Sequence, residues 1–492
     1  MSDLLQVFAL MLVAYVSLGS LIAYFSRRYG VKSSRDYFVS GYRLGWFLAS
    51  MTYAATTYSA FMMVGLVGLA YSTGVGALGF ELVYLLATVV ILAVLGPAVW
   101  SMARERGWVS PSEMLSDLYE SKTIGYVTVG IYLVAMIPYV TAQIVGVATI
   151  FESIGVGYDT GILVMCVLIL AWIVLAGMWS VATTDAYQGM WMLAAAITLI
   201  LLLVGQVVPS AGTTLDQVIN ALSEKGFLGI TSFWTPQTFL AYTIPWIFFA
   251  TTNPQVVVRL YVHKDMTAYR KSVLLFSVFG FLYTVVVVYV GLLVRGLTEL
   301  GLFEHVSKSD LVTPTLVSRL HPVLASFIYI SILAAAVSTA NSIILAVASS
   351  FVRDLIEKRG KSGLSVSKVS NTIVALLTIT SAYLAYLRLG FVVDLSVLTS
   401  VLLLPLAPVT IAAWLAPHES KGDTQKKAAL TSLLVGTSLA FSFALMLGPR
   451  KTFLTSYYGL PISALILIVT SLITLAGYVT SRVRSHSPGS DR

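Results

Sequence analysis

Apolar runs about twenty residues long, enough to cross a hydrocarbon core as a helix, recur along almost the whole chain. About thirteen can be marked between residues 4 and 481, with the thinnest divisions near 74–76 and 388–391. This pattern predicts an all-α polytopic membrane protein. One run departs from uniform apolarity. In Leu333–Ser350, the residues Ala335, Ser338, Thr339, Ser342, Ala346 and Ser349 fall at helical spacings that align a small, hydroxyl-bearing stripe. Such a stripe on a membrane helix either seals against another helix or lines a polar cavity.

Two other runs read as broken helices. Thr52–Gly65 concentrates the hydroxyls of Thr52, Tyr53, Thr56, Thr57, Tyr58 and Ser59, and Ile244–Arg259 holds Pro245 and Pro254 inside one apolar stretch. Proline removes a backbone donor and frees a carbonyl upstream. Unwound backbone at membrane depth is tolerated only where it is buried in protein or faces water. Paired interruptions in two halves of a chain point to a transporter's central site.

Composition supports the membrane reading. Only 11% of the 492 residues are charged, against about 25% in soluble domains. The net charge of +8 invites an anionic partner such as nucleic acid, but its distribution argues for membrane orientation. With the N-terminus outside, 23 of the 30 Lys and Arg residues fall in inside segments, as the positive-inside rule requires. An odd helix count then places the C-terminus inside. The first run lacks a basic leader and a cleavage site, so it reads as a retained helix. The single cysteine, Cys166, excludes an internal disulfide framework and a cysteine metal site. The polar tail SHSPGSDR reads as disordered.

Ionisable residues inside apolar runs are costly and mark function. Three stand out: Glu81, Asp185 and Asp394. Asp185, at the start of the sixth run, reads as a helix cap beside Thr183 and Thr184 or as part of an ion path. Glu81 and Asp394 read as interfacial or functional. HExxH, P-loop and Gly-x-Ser-x-Gly motifs are missing from the sequence, and all five histidines lie in loops or at helix ends. An enzyme is therefore not expected, and any driving force must be an ion gradient or the solute's own gradient.

Four stretches resemble the solute:sodium symporter family, which includes proline, pantothenate, monocarboxylate and sodium/glucose symporters. They are DYFVSGYRLGWFLASMTYAATTYSA (36–60), AGMWSVATTDAYQG (176–189), NPQVVVRLYVHKD (253–265) and AAAVSTANSIILAVASSFVRDL (334–355). The resemblance implies a leucine-transporter-type fold, with two inverted five-helix repeats that each begin with a broken helix. On that division, residues 1–43 hold the first helix and an inner loop. Repeat one is 44–208, repeat two is 209–416, and 417–492 holds the last two helices and the tail.

The same resemblance implies a Na⁺ site built from the carbonyls of Ala55, Tyr58 and Ala335 with the hydroxyls of Ser338 and Thr339. It also implies a role for Asp185 in passing the ion toward the cytoplasm. The solute would sit between the broken helices, near Thr57, Ser59, Trp246, Ala250, Asn253 and Pro254, and Glu81 matches a sugar-contacting acid of the sodium/galactose branch. Thr57 stands where proline members carry an aspartate, Ala250 replaces their aromatic residue, and the sugar branch's embedded lysine is missing. The first stretch looks closest to the pantothenate and monocarboxylate branch. With no core Lys or Arg expected, helix N-termini and hydroxyls would have to bind a carboxylate. The implied function is Na⁺-coupled import of a monocarboxylate, pantothenate-like solute or amino acid through an inner membrane. A proton-coupled carrier of the same fold and a sensor or channel are the alternatives. The lipid bilayer and the solute are the expected partners; nucleic acid and obligate protein partners are not.

Overall fold

The computed structural model describes residues 2–30, 34–174, 177–353, 364–417 and 421–486. Ala176, the basic residues Lys32, Lys358, Arg359, Lys361 and Arg492, and the end of the tail lie outside them. The regular elements of the described residues are helices apart from a short antiparallel pair, Ser456–Tyr457 with Leu460–Pro461, and an isolated bridge between Leu44 and His263. Nine of its helices are long and apolar enough to cross a membrane, and eleven spans result if each of two bent pairs counts as one. Helices suit this setting because they satisfy their backbone polar groups internally.

The helices that position the site are α1 (Ser2–Gly30), the bent pair α2 (Trp46–Thr57) and α3 (Phe61–Thr73), α4 (Gly76–Val94), α5 (Lys122–Ser153), α6 (Tyr158–Val174) and α7 (Met178–Ser210). They continue with α8 (Pro236–Ile247), α9 (Met266–Glu299), α10 (Pro322–Phe351), α11 (Leu364–Tyr386) and the bent pair α12 (Val392–Leu403) and α13 (Leu406–Leu415). The last two, α14 (Asp423–Leu447) and α15 (Ile462–His486), pack on each other. Starts are marked by local chemistry. Asp265 caps α9 by accepting from the Ala268 amide at 2.7 Å, and Pro236 and Pro322 sit in the first turns of α8 and α10, where a missing N–H costs nothing.

Burial ranks the helices. In α10, 83% of the most apolar window is buried inside the protein, against 22% in α1 and α14. The hydroxyl-striped helix is thus the axis of the bundle, packed against α1, α2, α5 and α7. The helix α2 lies between α7 and α9, and α4 packs on α8 and α9.

Close approach ties the two halves of the chain at both ends. A Cβ on Gly68 would meet the Ser309 carbonyl oxygen at 2.2 Å, so the 303–320 loop rests directly on α3. The Thr313 hydroxyl donates to the Met63 carbonyl there. At the other end, the Leu44 amide donates to the Val262 carbonyl and the Lys264 amide to the Leu44 carbonyl, both at 2.9 Å.

Candidate functional site

The axis α2–α3 bends by 49°, and the polar contacts around Tyr58–Ala60 explain why. In an unbroken helix the amides of Ala60 and Phe61 would bond the carbonyls of Thr56 and Thr57. Here Ala60 donates to Gln143 Oε1 and Phe61 to Ser59 Oγ, both at 3.1 Å. Freed carbonyls result in a fully buried segment. The second interruption divides the chain into short pieces. After α8, the chain forms two single turns, Phe249–Thr252 and Pro254–Val257, with Asn253 extended between them.

The stripe of α10 meets the first break. Ser338 Oγ donates to the carbonyl of Ala55 at 2.8 Å and lies 2.9 Å from that of Ala335. Thr339 Oγ1 lies 3.3 Å from the Ala55 carbonyl and 3.2 Å from that of Thr56. Two hydroxyls and three carbonyls therefore converge, all oxygen, all buried. An oxygen-only set suits a hard cation. Tyr58 leaves the helical conformation at φ −90°, ψ 88°. Its side chain reaches toward α9, stacked on Phe276 at 5.8 Å.

One helical turn along, the structure corrects three expectations. Asp185 is not an N-terminal cap, because α7 begins at Met178 and Asp185 lies in its second turn. Arg259, at the end of the broken run and counted among the inside charges, is a core cation: its side chain is 1% exposed and pairs with Asp185 at 3.1 Å. It lies at the end of the short helical turns that follow the extended Asn253. The core therefore does hold an arginine, but a committed one. Its Nη2 also donates to Ser342 Oγ at 2.6 Å, its Nη1 to the Gln255 carbonyl at 2.6 Å, and its Nε to Thr52 Oγ1 at 2.9 Å. The Thr52 hydroxyl in turn donates a hydrogen bond to Asp185 Oδ2 at 2.6 Å. Ser342, read from sequence as packing or vestibule, joins the network and accepts from Thr56 Oγ1 at 2.9 Å. Thr56 links the two clusters, its carbonyl in the first and its hydroxyl in the second.

The remaining predicted residues divide. Thr57 is buried with its hydroxyl unpartnered among the described residues. Ser59 holds the break open. Trp246 stacks on Phe249 at 5.5 Å and lies tilted against Phe61 at 4.9 Å, with its indole N–H unpartnered among the described residues. Ala250 is fully buried, and Pro254 opens the last single turn. Asn253 does not present its amide to a guest: Nδ2 donates to the Phe249 carbonyl at 3.3 Å and Thr252 Oγ1 at 3.2 Å. Glu81, read as interfacial or functional, is fully buried. Asp394 is buried too and lines, with Asp310, Glu152 and Arg388, a cavity of about 380 Å³ beside the 303–320 loop. Sequence reasoning marked the Thr52 hydroxyl but missed Arg259 and Gln143. A charge inside the apolar run VVVRLYV was the available signal for the first; nothing local marked the second.

A model of the sodium:solute symporter family matches residues 37–436. The chain is 24% identical to a sodium/pantothenate symporter of Haemophilus influenzae over 74% of its length and 76% of the relative. It is 22% identical to a sodium/proline symporter of Staphylococcus aureus over 76% of its length and 75% of the relative. Its fold is similar to that of a Na⁺-coupled sialic acid symporter in a substrate-bound outward-open state, with a TM-score of 0.77 at 17% identity over 96% of this chain and 98% of the other.

Proposed function

Because the chain belongs to the sodium:solute symporter family, we propose that it imports a small organic solute across the cytoplasmic membrane, driven by Na⁺. The convergence of Ser338, Thr339 and the Ala55, Thr56 and Ala335 carbonyls at 2.8–3.3 Å carries this reading. Na⁺ accepted there would hold α2 to α10, joining one broken helix to the bundle axis. The Tyr58 carbonyl, at the non-helical residue of the break, completes the proposed set. The proposed architecture has thirteen spans, the N-terminus outside, and inverted repeats over 44–208 and 209–416.

Coupling follows from shared structure. Ordering the first break by Na⁺ also orders Thr57 and Ser59, which with Glu81, Trp246, Ala250, Asn253 and Pro254 border the proposed solute position. By reciprocity, solute then raises Na⁺ affinity by the same factor. When Na⁺ leaves, α2 loses its clamp to α10 and the solute leaves in turn. Asp185, one turn along and tied through Thr56, lies on the proposed ion route toward the cytoplasm.

The test is solute uptake into proteoliposomes under a Na⁺ gradient at fixed pH. Ser338→Ala and Thr339→Ala should each weaken apparent Na⁺ affinity about ten-fold, since each removes one oxygen facing the ion, while solute affinity at saturating Na⁺ changes less. Uptake indifferent to Na⁺ but driven by a proton gradient would sink the reading. Unchanged Na⁺ dependence in both variants would return the stripe to helix packing.

A further inference from the structure

Both carboxylate oxygens of Glu81 are buried and without a hydrogen-bond partner among the described residues. Its neighbours share the condition. Tyr84 and Thr88 follow it at helical spacing on the buried face of α4, Tyr283 comes from α9 packed against that face, and all three hydroxyls are unpartnered among the described residues. Tyr58, from the first break, enters between α4 and α9. It can do so because Gly280 has no side chain: a Cβ there would lie 2.1 Å from Tyr58 Oη and 2.9 Å from Leu85 Cδ1, one turn from Glu81. Glu81 is within electrostatic reach of Tyr58, Tyr84 and Tyr139.

A buried charge without a partner is costly, and proteins keep one where something binds it. The buried guanidinium by the second break is committed to Asp185, Ser342, Thr52 and the Gln255 carbonyl. The aromatic residues near Glu81 belong to a larger group of packed rings. Tyr58 stacks with Phe276 at 5.8 Å and Phe279 at 6.0 Å, and meets Tyr283 edge-on at 5.9 Å. Tyr84 stands edge-on to Trp246 at 5.1 Å and to Phe249 at 5.5 Å. A carboxylate near aromatic rings suits an organic ammonium, which takes the charge at one point and the rings over its C–H and N–H surface. Na⁺ favours a set made of oxygens alone, as at Ser338.

We propose that Glu81 receives a positively charged nitrogen of the solute, so that the transported class is small amines, zwitterionic or cationic, rather than simple carboxylates. This rests on the symporter reading for the solute's place between the breaks. It deepens that reading by assigning the solute's charge.

The test uses the purified full chain and its thermal stability in NaCl and in KCl. The probes are the common amino acids, their N-acetyl derivatives, pyrrolidine, methylamine and pantothenate. At least one amine should stabilise the protein, and acetylation of its nitrogen should abolish the effect. Glu81→Gln should weaken that amine by roughly thirty-fold or more, and Glu81→Asp should recover part of the loss. A Na⁺-induced shift retained in Glu81→Gln reports that the variant folds. Stabilisation by pantothenate or an N-acetyl compound but by no amine overturns the proposal, as does an amine response unchanged in Glu81→Gln or a panel in which no amine acts. An amine effect equal in NaCl and KCl upholds the charge assignment and removes the Na⁺ coupling, so the two readings fail separately.

Discussion

Two buried carboxylates lie in the same helical bundle under opposite circumstances. Asp185 accepts from Arg259, Thr52 and Thr56; Glu81 accepts from nothing among the described residues. Both are shielded from water, so burial alone does not separate them. What separates them is whether the fold supplies the answering charge. A fully bonded pair in a low-dielectric setting fixes geometry, and removing either member strands the other. An unanswered buried charge costs the fold stability and is available to a guest. The first carboxylate therefore reads as part of the frame that holds α2, α7 and α10 in register. The second reads as recognition.

Breaking the frame should give the largest effect. Arg259→Met leaves the Asp185 charge buried with only the Thr52 and Thr56 hydroxyls to answer it, and should cost about 3–5 kcal/mol in chemical or thermal unfolding. Adding Asp185→Leu to the same chain should recover most of the loss, because the stranded charge is then gone.

A second junction near that frame depends on protonation. His263 hydrogen-bonds Ser272 Oγ at 2.6 Å, faces the Leu260 carbonyl at 3.3 Å, packs its ring on Tyr269 and has the Asp265 carboxylate nearby. Burial pushes its imidazole from 6.5 down to about 4. The unfolded chain thus binds the proton more readily between these values. Stability is complete above about 6.5 and falls as the pH drops toward about 4. Acid melts of the wild type should show up to about 3 kcal/mol of loss that His263→Gln lacks.

The region around Glu81 should be sensitive to shape before charge. Gly280→Ala places a Cβ against Tyr58 and should cost about 1–3 kcal/mol by overpacking, with solute binding weakened more than Na⁺ binding. Glu81→Gln should be the mildest for stability. Without solute, its unfolding free energy should stay within about 1 kcal/mol of wild type or rise above it, since a stranded charge is removed. A large loss of stability in Glu81→Gln would erase the distinction between the two carboxylates.

Much of the architecture was legible in the residues themselves. A membrane helix must be apolar over its own length, so its position is a local property, and Pro245, Pro254 and the hydroxyls of Thr52–Gly65 marked both interruptions. The stripe on α10 was legible too, because side chains at i, i+3 and i+4 share a face in any helix. What periodicity does not encode is which faces meet. Ser338 lies 283 positions from Ala55, and Arg259 lies 74 from Asp185. Those meetings depend on the register between distant helices, set by close approaches such as Tyr58 over Gly280 and Ser309 over Gly68. The sequence by itself therefore determined the helical, membrane-spanning class, the breaks and the stock of oxygens. Only the tertiary structure decided that Arg259 turns inward to Asp185 and that Glu81 is left without an answering charge, because pairing is a property of space and not of spacing.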